Sequence, residues 1–389
     1  MTHPYRLVIL GSDATWACAV RERMAQALTD VVQLPDAVDF TRALPEHDDP
    51  AGPRPHCVVA FLADARSRDD ADMVAALEVA RELMLAVLPL THAGDTVHEI
   101  LPKVVRPLNA HLWDGEEEAA TRALLRLLGL IEQERRLFLS YRRQETSALA
   151  LQLRTRLSER GYDVFLDRFS VPPADDFQRR INIELSDKAF VLLLESSAAV
   201  GSLWVQHEVA FALSHGIALL ALSLPETARE EQFPEVDEAF RHRLEEGALS
   251  GSGADRELSD CALARVLDEV EARYARQLRQ RRVGMLGSVA LWLKDAGVEF
   301  AGTEDEWSLA ADWPEAEGTV FLVTPRAPAP RDLRRLDTLR EQQALATGCL
   351  VYASPAWDAD DEALLRWIVG RRPLETRLHE RVPDLLGLP

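Results

Sequence analysis

An α/β architecture built on parallel strands, met more than once along the chain, is what the sequence predicts, and three observations predict it. Short apolar runs of β type alternate with stretches whose apolar residues recur at helical spacing. The length of 389 residues suits two or three domains better than one. Hydrophobic residues make up 47% of the chain and charged residues 28%, values of an ordinary globular protein rather than a disordered one.

The elements follow in order. The first third offers a strand "RLVIL" (6–10), a helix through "AVRERMAQAL", strands "CVVAFLA" (57–63) and "AVLPL" (86–90), and between them the helix "MVAALEVARELM". The middle third offers strands "RLFLSY" (136–141), "YDVFLD" (162–167), "AFVLLLE" (189–195) and "IALLALSL" (217–224). Helices "ALALQLRTRLSERG" and "SLWVQHEVAFALSHG" (202–216) lie among them. The last third gives a helix "SVALWLKDAG", strands "VEFAG" (298–302) and "TVFLVTP" (319–325), a helix "LRRLDTLREQQALATG" and a strand "CLVYASP" (349–355). Helical, highly charged stretches at 116–136 and 263–282 read as connections. The expected domains are therefore 1–130, 134–280 and 283–389, the outer two being smaller α/β units. "SGSG" (250–253) reads as a loop between two helices of the middle unit.

Charge and composition exclude several classes. A net charge of -20 argues against direct binding to nucleic acid or to an anionic membrane surface. Every apolar run is too short to cross a bilayer, which takes about 20 residues. The start lacks the charged and apolar regions of a signal peptide, so a cytoplasmic location is expected. All but three of the 44 basic residues are arginine, so any anion site must use guanidinium groups. Cys18, Cys57, Cys261 and Cys349 are scattered without metal-ligand spacing, and read as reduced thiols. A Walker loop, a GxGxxG after a strand and a GxSxG elbow are all absent from the sequence. His207 and His215 stand too far apart on one helix for a shared metal.

Three clusters can carry chemistry. Trp204 and Glu208 stand at i and i+4, on one face of a helix that Ser202 is placed to cap. An indole beside a carboxylate desolvates the acid, and such an acid can grip sugar hydroxyls or stabilise positive charge on a ribose ring. The pair also suits a tryptophan on the core edge and a solvated glutamate. Ser140, Tyr141, Arg142 and Arg143 close a buried strand, at the end where ligands bind in open α/β sheets. Two guanidiniums there suit a pyrophosphate and Tyr141 a flat ring, although arginines solvating a loop would read the same. Asp167 ends the next strand, before a proline-stiffened loop "VPPADD" in which Asp175 or Asp176 caps a helix.

In this order, "FLSYRR", "G-YDVFLD", "PPADDFQRRINIELSDKAFVLLLESS" and "S-LWVQHEVAFAL" resemble the TIR (Toll/interleukin-1 receptor) domain, particularly its bacterial members, over residues 136–225. The resemblance implies a flavodoxin-like parallel sheet in the middle domain. In enzymatic members the glutamate of a W-x-x-x-E pattern cleaves the nicotinamide–ribose bond of NAD+, and Trp204 and Glu208 match that pattern. By position, Tyr141, Arg142, Arg143 and Asp167 match substrate-side residues, with Ser140 beside them. NAD+ would be substrate, and no cofactor or metal is implied. Ala174 stands where many relatives carry glycine, which puts that loop's conformation in doubt.

The resemblance further implies an NAD+ hydrolase or cyclase of anti-phage defence, activated by self-association through TIR domains and working with a defence-operon partner. In such an assembly the loop at 169–176 of one subunit would complete a neighbour's site. A noncatalytic TIR scaffold and a nucleoside-processing enzyme are the competing readings. The outer units carry no such constellation. Sliding the helix onto them puts Glu78 with Val74, or Arg340 with Leu336, at the two key positions. Both are expected to be noncatalytic, with Gly11, Ser12 and Asp13 either an anion site or an ordinary turn.

Overall fold

The computed structural model describes residues 3–45, 55–105, 110–130, 135–166, 175–303, 305–312, 318–353 and 359–388. The chain divides into two compact units. One comprises Met1–Glu134 with Glu271–Arg276 and Gly302–Glu306, the other Arg135–Val270, Gln277–Ala301 and Trp307–Pro389.

In the first unit the chain runs β1 (Tyr5–Leu10), α1 (Ala14–Ala27), β2 (Val38–Thr41), β3 (His56–Leu62), α2 (Ala71–Glu82), β4 (Ala86–Thr91), α3 (Val97–Ile100), β5 (His111–Leu112) and α4 (Glu117–Leu127). The five strands form one parallel sheet in the order β2-β1-β3-β4-β5. All of β3 is buried, as a strand covered on both faces must be.

The second unit opens with β6 (Arg136–Ser140), α5 (Arg143–Glu159), β7 (Asp163–Leu166), α6 (Asp175–Lys188), β8 (Phe190–Glu195), α7 (Ser197–Val200), α8 (Leu203–Ser214), β9 (Ala218–Ser223) and β10 (Arg241–Arg243). The strands among these form a sheet that is again all parallel, ordered β10-β9-β8-β6-β7. Read from the other edge, this is the arrangement of the first sheet. Phe138, Val191, Leu193, Leu185, Val205 and Val209 belong to one core cluster, which joins the sheet to α6 and α8.

A two-strand hairpin, β11 (Leu249–Ser250) and β12 (Glu257–Leu258), leads into α9 (Asp260–Asp295). The "SGSG" segment therefore belongs to a hairpin turn and not to a loop between helices. Gly251 sits at φ 89°, and a Cβ there would come within 2.7 Å of the Asp255 carbonyl oxygen. α9 is one run of 36 residues, in which the separately expected helices at 263–282 and "SVALWLKDAG" are continuous. Gly284 and Gly287 weaken a helix by roughly 1 kcal/mol each relative to alanine. Burial of Met285, Val289 and Leu293 on the opposite side carries the helix through them.

The last sheet is mixed. It comprises β13 (Phe300–Gly302), β14 (Ser308–Ala311), β15 (Thr319–Thr324), β16 (Thr347–Tyr352) and β17 (Leu374–Leu378), in chain order. β14 pairs antiparallel with β15, whereas β15, β16 and β17 are parallel. α10 (Pro330–Gln342) connects β15 to β16, α11 (Ala359–Val369) follows β16, and α12 (Val382–Leu385) ends the described chain. Among the described residues no helix is long and apolar enough to cross a membrane.

Candidate functional site

Strand order fixes where a ligand fits. From β6 the chain crosses to β7 on one side, and from β7 it returns to β8 on the other. The two crossovers leave a crevice outside the carboxyl ends of β6 and β8, the switch point of an open parallel sheet. Ser140 ends β6, Ser196 directly follows β8, and the turns beyond both strands supply the rest of the site.

Glu208 lies in α8 and is only 9% exposed. Ser140, itself 1% exposed, donates its hydroxyl hydrogen to Glu208 Oε2 at 2.5 Å. The bond spans 68 residues of sequence and ties the end of the central strand to the middle of α8. Trp204, one turn earlier on α8, is 40% exposed and its neighbour Leu203 80% exposed. The helix thus presents an apolar end to the surface and a carboxylate to the sheet.

Arg142 occupies the N-cap position of α5 and donates from Nη1 to Ser202 Oγ at 3.2 Å. Ser202 does hold the N-cap position of α8, with extended backbone, but its side chain makes no capping bond. The guanidinium takes the hydroxyl instead, since a charged partner makes the stronger hydrogen bond. Arg142 Nε is buried with no partner among the described residues. Tyr141 and Arg143, on either side of Arg142, are half-buried.

The start of α5 is irregular. Thr146 leaves helical geometry at φ -131°, its hydroxyl donating to the Arg142 carbonyl at 3.0 Å, and this sets off the turn that carries Arg143 and Glu145. Glu145 accepts a 2.6 Å hydrogen bond from Ser196, whose oxygen also caps α7 by accepting from Ala199 N–H. Glu145, Ser196 and the Arg142–Ser202 link were not singled out from the sequence. A serine just past a buried strand, as in "LLLESS", is the one local signal they leave.

Below the crevice, Glu195 is fully buried and paired with Arg241 of β10 at 3.1 and 3.3 Å. Ser223 and the Phe233 N–H also donate to its carboxylate. This network ties β10 and the segment before it to the ends of β8 and β9. His207, on α8, bonds Asn182 of α6 at 2.9 Å, and burial lowers its pKa.

The structure brings together Ser140, Tyr141, Arg142, Arg143 and Glu208 at one sheet end. Asp167 and all but the last two residues of the 169–176 loop lie outside the described residues, as does Ala174. Asp175 and Asp176 begin α6, with nothing described of their side chains.

The corresponding helices of the other sheets lack the acid. α8 gives way to β9 through the left-handed residue Gly216 (φ 57°), and Met84 (φ 52°) and Ala344 (φ 52°) do the same after α2 and α10. Counting back equally from these residues puts Ala76 and Leu336 at the position of Glu208, and Asp72 and Asp332 at that of Trp204. These replace Glu78 with Val74 and Arg340 with Leu336, because the residue that ends the third helix is Ala344, while Gly348 lies inside β16.

Among the described residues, the first strand's end has the hydrogen bonding of an ordinary strand-to-helix turn. The Asp13 carboxylate itself accepts from the N–H groups of Thr15 and Trp16 at the start of α1. Ser12 donates instead across the crevice to Asp64 at 2.6 Å.

The family model of the TIR domain matches residues 137–246, from within β6 to just past β10. The chain therefore carries a TIR domain in its middle, and the match takes in all five strands of the β6–β10 sheet, missing only the first residue of β6. No curated protein matches the chain.

Proposed function

We propose that this chain is an NAD+-cleaving enzyme, with Glu208 as its catalytic carboxylate. The observation that carries the reading is a buried glutamate at the switch point of the TIR sheet, with arginine side chains on the adjoining turn. TIR domains include both NAD+-cleaving enzymes and scaffolds, and a scaffold surface has no need of a buried acid at the ligand end of its sheet.

In the proposed reaction the C1′–N bond of the nicotinamide riboside breaks, and its electron pair goes to the ring nitrogen. The pyridinium thereby leaves as neutral nicotinamide. Glu208 stabilises the positive charge that develops on the ribose, an electrostatic role worth most where water is excluded. Water then adds to C1′ and loses a proton to give ADP-ribose. Alternatively, a nucleophile of the same molecule closes a cyclic isomer. In this reading Arg142 and Arg143 would hold the pyrophosphate, and Trp204 and Tyr141 would flank a ring.

The reading extends to regulation. An unrestrained NAD+ hydrolase depletes its own cell, so self-association through TIR domains would switch the enzyme on, in anti-phage defence or a similar alarm. The flanking units, 1–130 and 283–389 in the three-domain reading, would receive the trigger and take no part in the chemistry. The exposed Leu203 and Trp204 are also what a docking face would show, and they favour the scaffold as the second reading.

Incubating purified protein with NAD+, with and without forced assembly, and assaying free nicotinamide separates the two. Release that requires both assembly and Glu208 supports the enzyme. No release in any assembled state overturns it.

A further inference from the structure

We propose that Ser140 is a positioning residue for Glu208, its hydroxyl fixing the buried carboxylate in one rotamer and in its charged form. The catalytic meaning of this rests on the reading of Glu208 as the reacting acid; the coupling between the two side chains does not.

The argument starts from the strand. Ser140 ends β6, which is flanked on both sides by β7 and β8 and so is among the least mobile parts of the sheet. Ser140 is 1% exposed, and its hydroxyl is bonded to Glu208 Oε2 at 2.5 Å. With the carboxylate ionised the serine is the donor, since an ionised carboxylate only accepts.

Burial disfavours a charged carboxylate, and a hydrogen bond given to the charged form opposes that penalty. Loss of the donor therefore pushes Glu208 toward the neutral acid, which cannot stabilise a cationic ribose. The rotamer matters as well, because a hydrogen bond from the end of the sheet fixes where Glu208 Oε2 points.

The charged and titratable groups on the surrounding elements can be named. After β6 come Tyr141, Arg142 and Arg143, with Glu145 bonded to Ser196. At the end of β8, Glu195 is neutralised by Arg241. On α8 itself His207 is bonded to Asn182. α6 begins with Asp175 and Asp176; further along it Arg179 and Arg180 are exposed, Glu184 and Asp187 are paired with Lys188, and Asp187 is also paired with Arg136 of β6. α7 and β9 carry no ionisable side chain.

The test is a carboxyl-carbon NMR titration of glutamate-labelled full-length protein, the Glu208 signal being assigned by its loss in Glu208→Gln. In Ser140→Ala the Glu208 midpoint should rise by about one to two pH units, the shift that corresponds to one hydrogen bond given to a charged group. Ser140→Thr keeps a hydroxyl at the same place and should restore the wild-type midpoint. An unmoved midpoint in Ser140→Ala overturns the proposal.

Ser140→Cys offers a second test, should the alanine variant fail to fold. Its thiol is a weaker donor, so the Glu208 midpoint should again rise above the wild-type value, and an unmoved midpoint overturns the proposal equally. A wild-type protein that shows the coupling yet releases no nicotinamide counts against Glu208 as the catalytic acid and leaves the Ser140 assignment intact.

Discussion

The first and second parallel sheets share one strand order and differ in what stands at the switch point. In the TIR sheet the crevice holds a glutamate buried on a helix and bonded to a strand-end serine, and Arg142 on the adjoining turn is bonded to Ser202 at the start of the same helix. In the first sheet the acid is Asp64, on the turn after β3, and its neighbours use it up. Burial by itself would raise its pKa, but hydrogen bonds from the hydroxyls of Ser12 and Ser67 and the N–H groups of Arg66 and Ser67 outweigh that and hold it below the usual carboxylate range.

Space differs too. A Cβ on Gly11 would meet Leu62 Cβ at 2.6 Å, so the first strand's turn packs directly against its neighbour. The same topology thus sets a buried glutamate at the strand ends once and a self-satisfied turn once, and the side chains decide which.

The largest effect expected to break this contrast comes from Arg241. Arg241→Ala leaves Glu195 buried without its cation, a change that typically costs about 3 to 5 kcal/mol. A stability loss of that size in denaturant titration is expected, whereas Asp64 of the first sheet is held by hydroxyls and amides. A loss under about 1 kcal/mol would mean that Glu195 relaxes to water.

Glu208→Gln is next. Under the proposed reading it lowers nicotinamide release by about 10² to 10³-fold, as loss of one transition-state electrostatic contact does, with the fold retained by circular dichroism. Parental turnover in a folded variant would sink the assignment.

The two arginines sharpen the comparison further. Arg143→Ala should raise KM with kcat little changed, because a phosphate clamp grips ground and transition states alike. Arg142→Ala should lower both kcat and affinity, by about 10- to 100-fold in kcat/KM, since Arg142 also holds Ser202 at the start of the helix that carries Glu208. Identical kinetic signatures for the two variants would show that the Arg142–Ser202 link is idle.

The smallest effect lies in the first sheet. Asp64 has a depressed pKa, so its contribution is present above the unfolded carboxylate value of about 3.9 and is lost as pH falls through the folded value. Ser12→Ala should therefore reduce stability by about 0.5 kcal/mol near neutral pH, and the difference from wild type should shrink below about pH 4. A difference that persists unchanged in acid would assign it to packing and not to the Asp64 bond.

Most of the strands were legible because they are buried. The runs at 57–63, 189–195, 217–224 and 319–325 are continuous apolar stretches, and the structure has β3, β8, β9 and β15 there. The strands that the sequence hid are mostly at or near sheet margins: "VDFT" in β2, "HL" in β5, "RHR" in β10 and "LETRL" in β17. A strand hydrogen-bonded on one side only needs no apolar run, so its sequence resembles a loop. β14, "SLAA", is buried but made of residues with little strand preference.

The sequence by itself determined the α/β class, the place of the TIR domain, and the i, i+4 relation of Trp204 to Glu208, because helical period and apolar burial are written locally in the chain. Only the tertiary structure decided that Glu208 faces the sheet while Trp204 faces outward, that Ser140 reaches it across 68 residues, and that Ser202 serves Arg142 instead of its own helix. Spacing cannot supply these facts. A hydrogen bond between distant residues depends on strand order and on the depth at which a helix sits against the sheet, and packing of the whole core sets both.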